Sequence, residues 1–123
     1  MNTTDLDALE RDHLATWIDP DPARRREIVE RIWAPDGRLS IAPAGRTLTG
    51  VDAIVAHTTR VHDERIAGQG MRFVYDQRID GGDLLLLRWS MLAPDGSTAA
   101  RGVDIARIEA GRFASVHMFM GVD

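Results

Sequence analysis

Apolar residues recur at helical spacing along the first part of the chain: Leu6, Leu9, His13 or Leu14, Trp17 and Ile18 share one stripe. Thr4 and Asp5 stand in front as capping residues, and Asp19-Pro20-Asp21-Pro22 breaks the pattern behind. Asp21 followed by Pro22 predicts the start of a second helix, with Ile28, Val29, Ile32 and Trp33 on its inner side and Ala34-Pro35-Asp36-Gly37 as its end. Leu39 and Ile41 around Ser40 predict a short strand, and the chain between Gly45 and Gly50 a second extended piece. Val51-Asp52-Ala53-Ile54 then opens a third helix that runs to about Arg65. Beyond the Gly68-Gln69-Gly70 hinge, four extended runs follow: Met71 to Asp80, Asp83 to Ala93, Thr98 to Glu109 and Arg112 to Gly121. The turns between them are short and rich in Asp and Gly, which predicts an antiparallel meander. Three helices ahead of a long-stranded sheet is an α+β layout in which the helices cover one sheet face.

Turn chemistry carries the reading further, because a turn fixes strand pairing and pairing fixes which side chains share a face. With Asp95-Gly96 at the tip, Trp89 falls opposite Gly102 and Leu87 opposite Asp104. Leu85, Leu87, Trp89, Met91, Ala100, Gly102, Asp104 and Ala106 then lie on the concave face. Arg88, Ser90, Arg101, Val103, Ile105 and Arg107 point outward. A carboxylate, Asp104, is thereby set among leucines and a tryptophan.

Composition narrows the chemistry. A length of 123 residues with 44% hydrophobic content fits one domain, residues 1–123, with a real core. No run of apolar residues reaches membrane-spanning length, and the acidic, polar segment from Met1 to Leu14 does not read as a signal peptide, so a cytoplasmic protein is expected. With no cysteine, disulfides and thiolate chemistry are excluded; with all fifteen basic residues arginine, so is a lysine Schiff base. The net charge of −4 argues against nucleic acid as a partner, and Arg24-Arg25-Arg26 reads as a solvated helix face.

Several strings, in this order, resemble the nuclear transport factor 2-like superfamily, which includes SnoaL-like polyketide cyclases and ketosteroid isomerase. They are Thr16-Trp17 with Asp21-Pro22, Ile32-Trp33-Ala34-Pro35-Asp36, Gly50 with Ala53-Ile54, and Gly102 with Asp104 ahead of Glu109-Ala110-Gly111-Arg112-Phe113. The resemblance covers essentially the whole chain and implies a cone-shaped fold, three helices packed on a curved, mostly antiparallel sheet around a pocket. In the steroid isomerase pattern His13 falls at the position of a tyrosine and Asp104 at that of an aspartate, the two that hold an enolate oxygen. The position of the proton-moving aspartate is occupied by Ile41, so that mechanism does not transfer.

Asp104 and His13 are thus the candidate catalytic pair, a carboxylate orienting an imidazole in an apolar cone. His57, in phase with Ile54 and Val61, is expected to face the cavity, together with Tyr75, Trp17, Trp33, Ile41, Phe73, Trp89, Met91, Met118 and Met120. His57 and His62 are five residues apart and do not share a helix face, so no metal site is expected. His117 is expected on the outer sheet face, where a homodimer contact is the natural use. The expected function is a small-molecule enzyme, of isomerase, cyclase, dehydratase or hydrolase type, that works on a hydrophobic substrate without a cofactor. The alternative is a non-catalytic ligand-binding or dimeric scaffolding domain of the same fold.

Overall fold

The computed structural model describes residues 2–122. Helix α1 (Thr3–Ile18) is capped by Asn2, whose side chain accepts the Asp5 N–H at 2.9 Å. The cap therefore lies ahead of Thr4 and Asp5, which sit inside the first turn, where the Asp5 carboxylate opposes the positive end of the helix. Its buried stripe is Leu6, Leu9, His13, Thr16 and Trp17. Thr16 takes the place expected for Ile18 because its hydroxyl donates to the His13 carbonyl at 2.6 Å and needs no water; Ile18 is exposed.

Helix α2 (Pro22–Ile32) starts on Asp21, whose side chain accepts the Ala23 N–H at 3.0 Å. Of the arginine triplet, Arg24 and Arg26 are on the surface, but Arg25 is 2% exposed, which corrects the reading of a fully solvated face. Its guanidinium donates to the Asp19 carbonyl at 2.6 Å, at the C-terminal end of α1, where a cation is favoured.

Trp33, expected to end the second helix, instead begins strand β1 (Trp33–Ala42), with an irregularity between Trp33 and Arg38 that takes up Pro35 and Gly37. Strand β2 (Arg46–Thr49) pairs antiparallel with β1. Helix α3 (Val51–Val61) continues into a π-helical turn (His62–Ala67), so the helical stretch passes slightly beyond Arg65. Strands β3 (Arg72–Asp80), β4 (Leu84–Leu92), β5 (Thr98–Glu109) and β6 (Arg112–Met120) complete an open sheet in the order β2-β1-β6-β5-β4-β3. Every pairing is antiparallel except β1 with β6, which is parallel.

Trp89 pairs with Gly102 and Leu87 with Asp104, as expected, but the connection is a three-residue loop, Pro94-Asp95-Gly96, in place of a two-residue turn, and a register shift that leaves Ala99 without a partner restores the expected pairs. An extra residue between Tyr75 and Gln77 turns Arg78 to the concave side, where it meets Asp7 at 2.8 Å and Glu10 at 3.5 Å on α1. These ties join α1 to the sheet beside its buried stripe. No described helix is long and apolar enough to cross a membrane.

Candidate functional site: a half-filled cone

Across the concave face the register lines up two kinds of row. Leu85, Ala106, Val116 and Leu39 form one, buried under Leu6 and Leu9 of α1 and Ile28, Val29 and Ile32 of α2. Here the cone is solid. At the other end, Phe73, Met91, Ala100, Trp89, Met118 and Met120 are left with space between them and α3. That space is a cavity of about 410 Å³, within the usual range of small-ligand pockets.

Of the residues expected to face a cavity, Trp17, Ile41, His57, Val61, Phe73, Trp89, Met91, Met118 and Met120 line it. Trp33, Tyr75, His13 and Asp104 do not. Trp33 belongs to the solid half, with its ring 5.5 Å from Phe113 and 6.5 Å from His13. Tyr75 stacks on His13 at 5.9 Å with an interplanar angle of 15°, and its hydroxyl is buried without a hydrogen-bond partner among the described residues.

His13 and Asp104 do converge, with Nε2 3.6 Å from Oδ2, and both are essentially without solvent exposure. That separation exceeds a hydrogen bond, and neither residue reaches the cavity. Between them and the open space stands Trp89, whose indole N–H donates to Asp104 Oδ1 at 2.9 Å. The pair is thus a polar knot behind Trp89, with Phe113 of the solid half 4.8 Å from the His13 ring. Both His13 nitrogens and Asp104 Oδ2 lack hydrogen-bond partners among the described residues.

The titratable group that the fold does bring to the cavity is His57. It is buried, its ring edge meets Trp17 at 5.7 Å, and its Nδ1 lies 3.0 Å from a guanidinium nitrogen of Arg60. Guanidinium only donates, so Nδ1 accepts and the imidazole proton resides on Nε2. Burial, helped by the nearby charges of Arg60 and Arg46, pushes the His57 pKa down to about 4. The imidazole is therefore neutral near pH 7. His62 faces elsewhere: its Nδ1 donates to the Trp17 carbonyl at 2.8 Å, closing the end of α1. Among the described residues no cluster of potential metal ligands occurs.

Around His57, Arg60, Glu64 and Arg65 complete the rim of the cavity, with Met71 and Ala99 at the sheet side. These were not foreseen. The signal for Arg60 and Glu64 was present, since they continue the His57 face at spacings of three and four residues. The π-helical turn, which shifts that face by one residue, carried no signature in the sequence.

An open α+β sheet curved over three helices, hollow at one end, defines the nuclear transport factor 2-like class of fold. The chain belongs to the SnoaL-like domain family, whose model matches residues 6–116. Among solved structures it is similar to a provisionally assigned isomerase of the SnoaL-like family from Agrobacterium tumefaciens, at 25% identity and a TM-score of 0.83, covering 98% of this chain and 100% of that one. A provisionally assigned polyketide cyclase from Sinorhizobium meliloti matches at 18% identity and a TM-score of 0.69, covering 96% and 99%. An NTF2-like protein of unknown function from Mesorhizobium loti matches at 20% identity and 0.71, covering 98% and 93%. No curated protein matches the sequence.

Proposed function

We propose that this chain is a small-molecule enzyme of the SnoaL-like kind, which holds a compact hydrophobic, carbonyl-bearing compound in the cavity and moves a proton on it. The observation that carries this reading is an apolar cavity of about 410 Å³ with one neutral imidazole in its wall. His57 offers its Nε2 proton to the ligand oxygen, and a neutral donor fixed in a water-poor site stabilises a developing oxyanion. Glu64, the one carboxylate on the rim, is the group that takes the proton. Asp104 and His13 act as positioning residues, through the Trp89 indole that Asp104 holds.

The test combines melting and turnover with a panel of hydrophobic ketones and enones. Wild type is expected to be stabilised by, and to turn over, at least one compound. His57→Gln should fold and lose about 10²- to 10³-fold in kcat, the usual cost of removing one oxyanion donor. Equal turnover in His57→Gln and wild type overturns the assignment. Stabilisation without turnover favours the second reading, a non-catalytic binder, which is supported by Ile41 in the cavity wall and by the sealing of the Asp104–His13 pair. The outer sheet face, where Ile79, Leu84 and Phe119 are exposed, supports a homodimer formed through that face in either case.

A further inference from the structure

Arg60 and Arg65 are the two arginines that line the cavity. Arg11, Arg24, Arg26, Arg31, Arg78 and Arg107 each lie within ion-pair distance of a carboxylate. Arg60 and Arg65, which face the cavity, are bonded to neutral acceptors, the His57 imidazole at 3.0 Å and the Gln69 amide oxygen at 3.1 Å. Glu64 lies between them in sequence and on the same rim, yet among the described residues neither arginine forms an ion pair with it. The rim therefore carries an excess of positive charge on a chain whose net charge is −4. Besides burial, the charges of Arg60 and Arg46 oppose protonation of His57. Inside the rim the wall is Trp17, Ile41, Phe73, Trp89 and methionine, with nothing charged.

We propose that the natural ligand is an apolar monocarboxylate, its hydrophobic body in the Trp17–Phe73–Trp89 interior and its carboxylate at the mouth on Arg60 and Arg65. This rests on the cavity being the ligand site, as argued above. Two guanidiniums held by neutral partners exchange them for a carboxylate with a gain in charge-assisted, fork-matched hydrogen bonding. An uncharged ligand of the same shape gains only burial of its body. A doubly charged head is disfavoured, because Glu64 shares the rim and repels the second charge.

Isothermal titration at pH 7 with matched acids and primary amides tests this: hexanoic, decanoic and naphthylacetic acids against their amides, on the full chain. Each acid that binds is expected to bind at least about tenfold tighter than its amide. In Arg60→Gln/Arg65→Gln the preference should vanish, while Arg107→Gln, which removes the same charge far from the cavity, should leave it intact. Both arginines are exposed, and melting curves of the variants check that they fold. If acids and amides bind wild type equally, the carboxylate assignment is wrong while the small-molecule reading stands. If no member of the panel binds, the carboxylate assignment is wrong, and the small-molecule reading stands or falls on the ketones and enones. If Arg107→Gln loses the preference as fully as the rim variant, the effect is one of net charge and the proposed site is wrong.

Discussion

Tyr75 is the only tyrosine in the chain, and there is no lysine, so its ionisation is a single-site event in an otherwise quiet pH range. Burial, reinforced by the carboxylates of Asp104 and Glu10, pushes its pKa well above 10. A group whose folded pKa is raised supports folding fully below its unfolded value and loses that support as pH rises. The chain is therefore expected to lose stability from about pH 10 upward, with phenolate absorbance appearing only on unfolding. Tyr75→Phe should remove the alkaline slope, and absorbance at high pH together with circular dichroism checks both. His57 works in the opposite sense on the acid side. Its pKa is lowered from 6.5 to about 4, so the neutral form is favoured in the folded state and support is lost as pH falls through that window. Chemical denaturation of wild type and His57→Gln at pH 7 and pH 4.5 should show a smaller acid loss in the variant.

At the scale of elements, the β4–β5 hairpin is the piece most strictly specified. A Cβ on Gly102 would stand 2.6 Å from Trp89 Cε2 and 2.6 Å from the Phe119 carbonyl oxygen, one a large side chain already bonded to Asp104 and the other backbone. Gly102→Ala is expected to cost about 1–3 kcal/mol of stability by overpacking, measured by urea denaturation, and to weaken ligand binding because Trp89 is a cavity wall. This hairpin was also the most legible part of the sequence. The Pro94-Asp95-Gly96 loop marks its turn locally, and the pairing of Trp89 with Gly102 is the one expected because unpaired Ala99 offsets the extra loop residue. The parallel contact of β1 with β6 was not legible, since no turn joins them and nothing local encodes it. The same limit explains the site. Periodicity and register turned Trp33, Tyr75, His13 and Asp104 inward, but which half of the cone is filled depends on how α1 and α2 pack over the sheet. The ion pairs of Arg78 with Asp7 and Glu10, which tie α1 to the sheet, depend on an irregularity in β3 with no signature of its own.

For the molecule as a whole, the two sheet faces serve different ends. The concave one divides into core and cavity; the outer one carries Phe119, 43% exposed, opposite buried Val103, with half-buried Ile105 two residues further along β5. If the outer face joins two copies, Phe119→Glu is expected to convert a dimer to a monomer of about half the mass in light scattering, with the fold retained. A wild type that is already monomeric would remove that use of the face.

The charged and titratable groups of the cavity, His57, Arg60, Glu64 and Arg65, all come from one unbroken stretch of nine residues on α3 and the turn after it, whereas the sheet supplies apolar wall. Chemistry and container therefore come from separate parts of the chain. Transplanting residues 57–65 from a relative should exchange ligand preference while leaving the sheet's register and the solid half of the cone untouched.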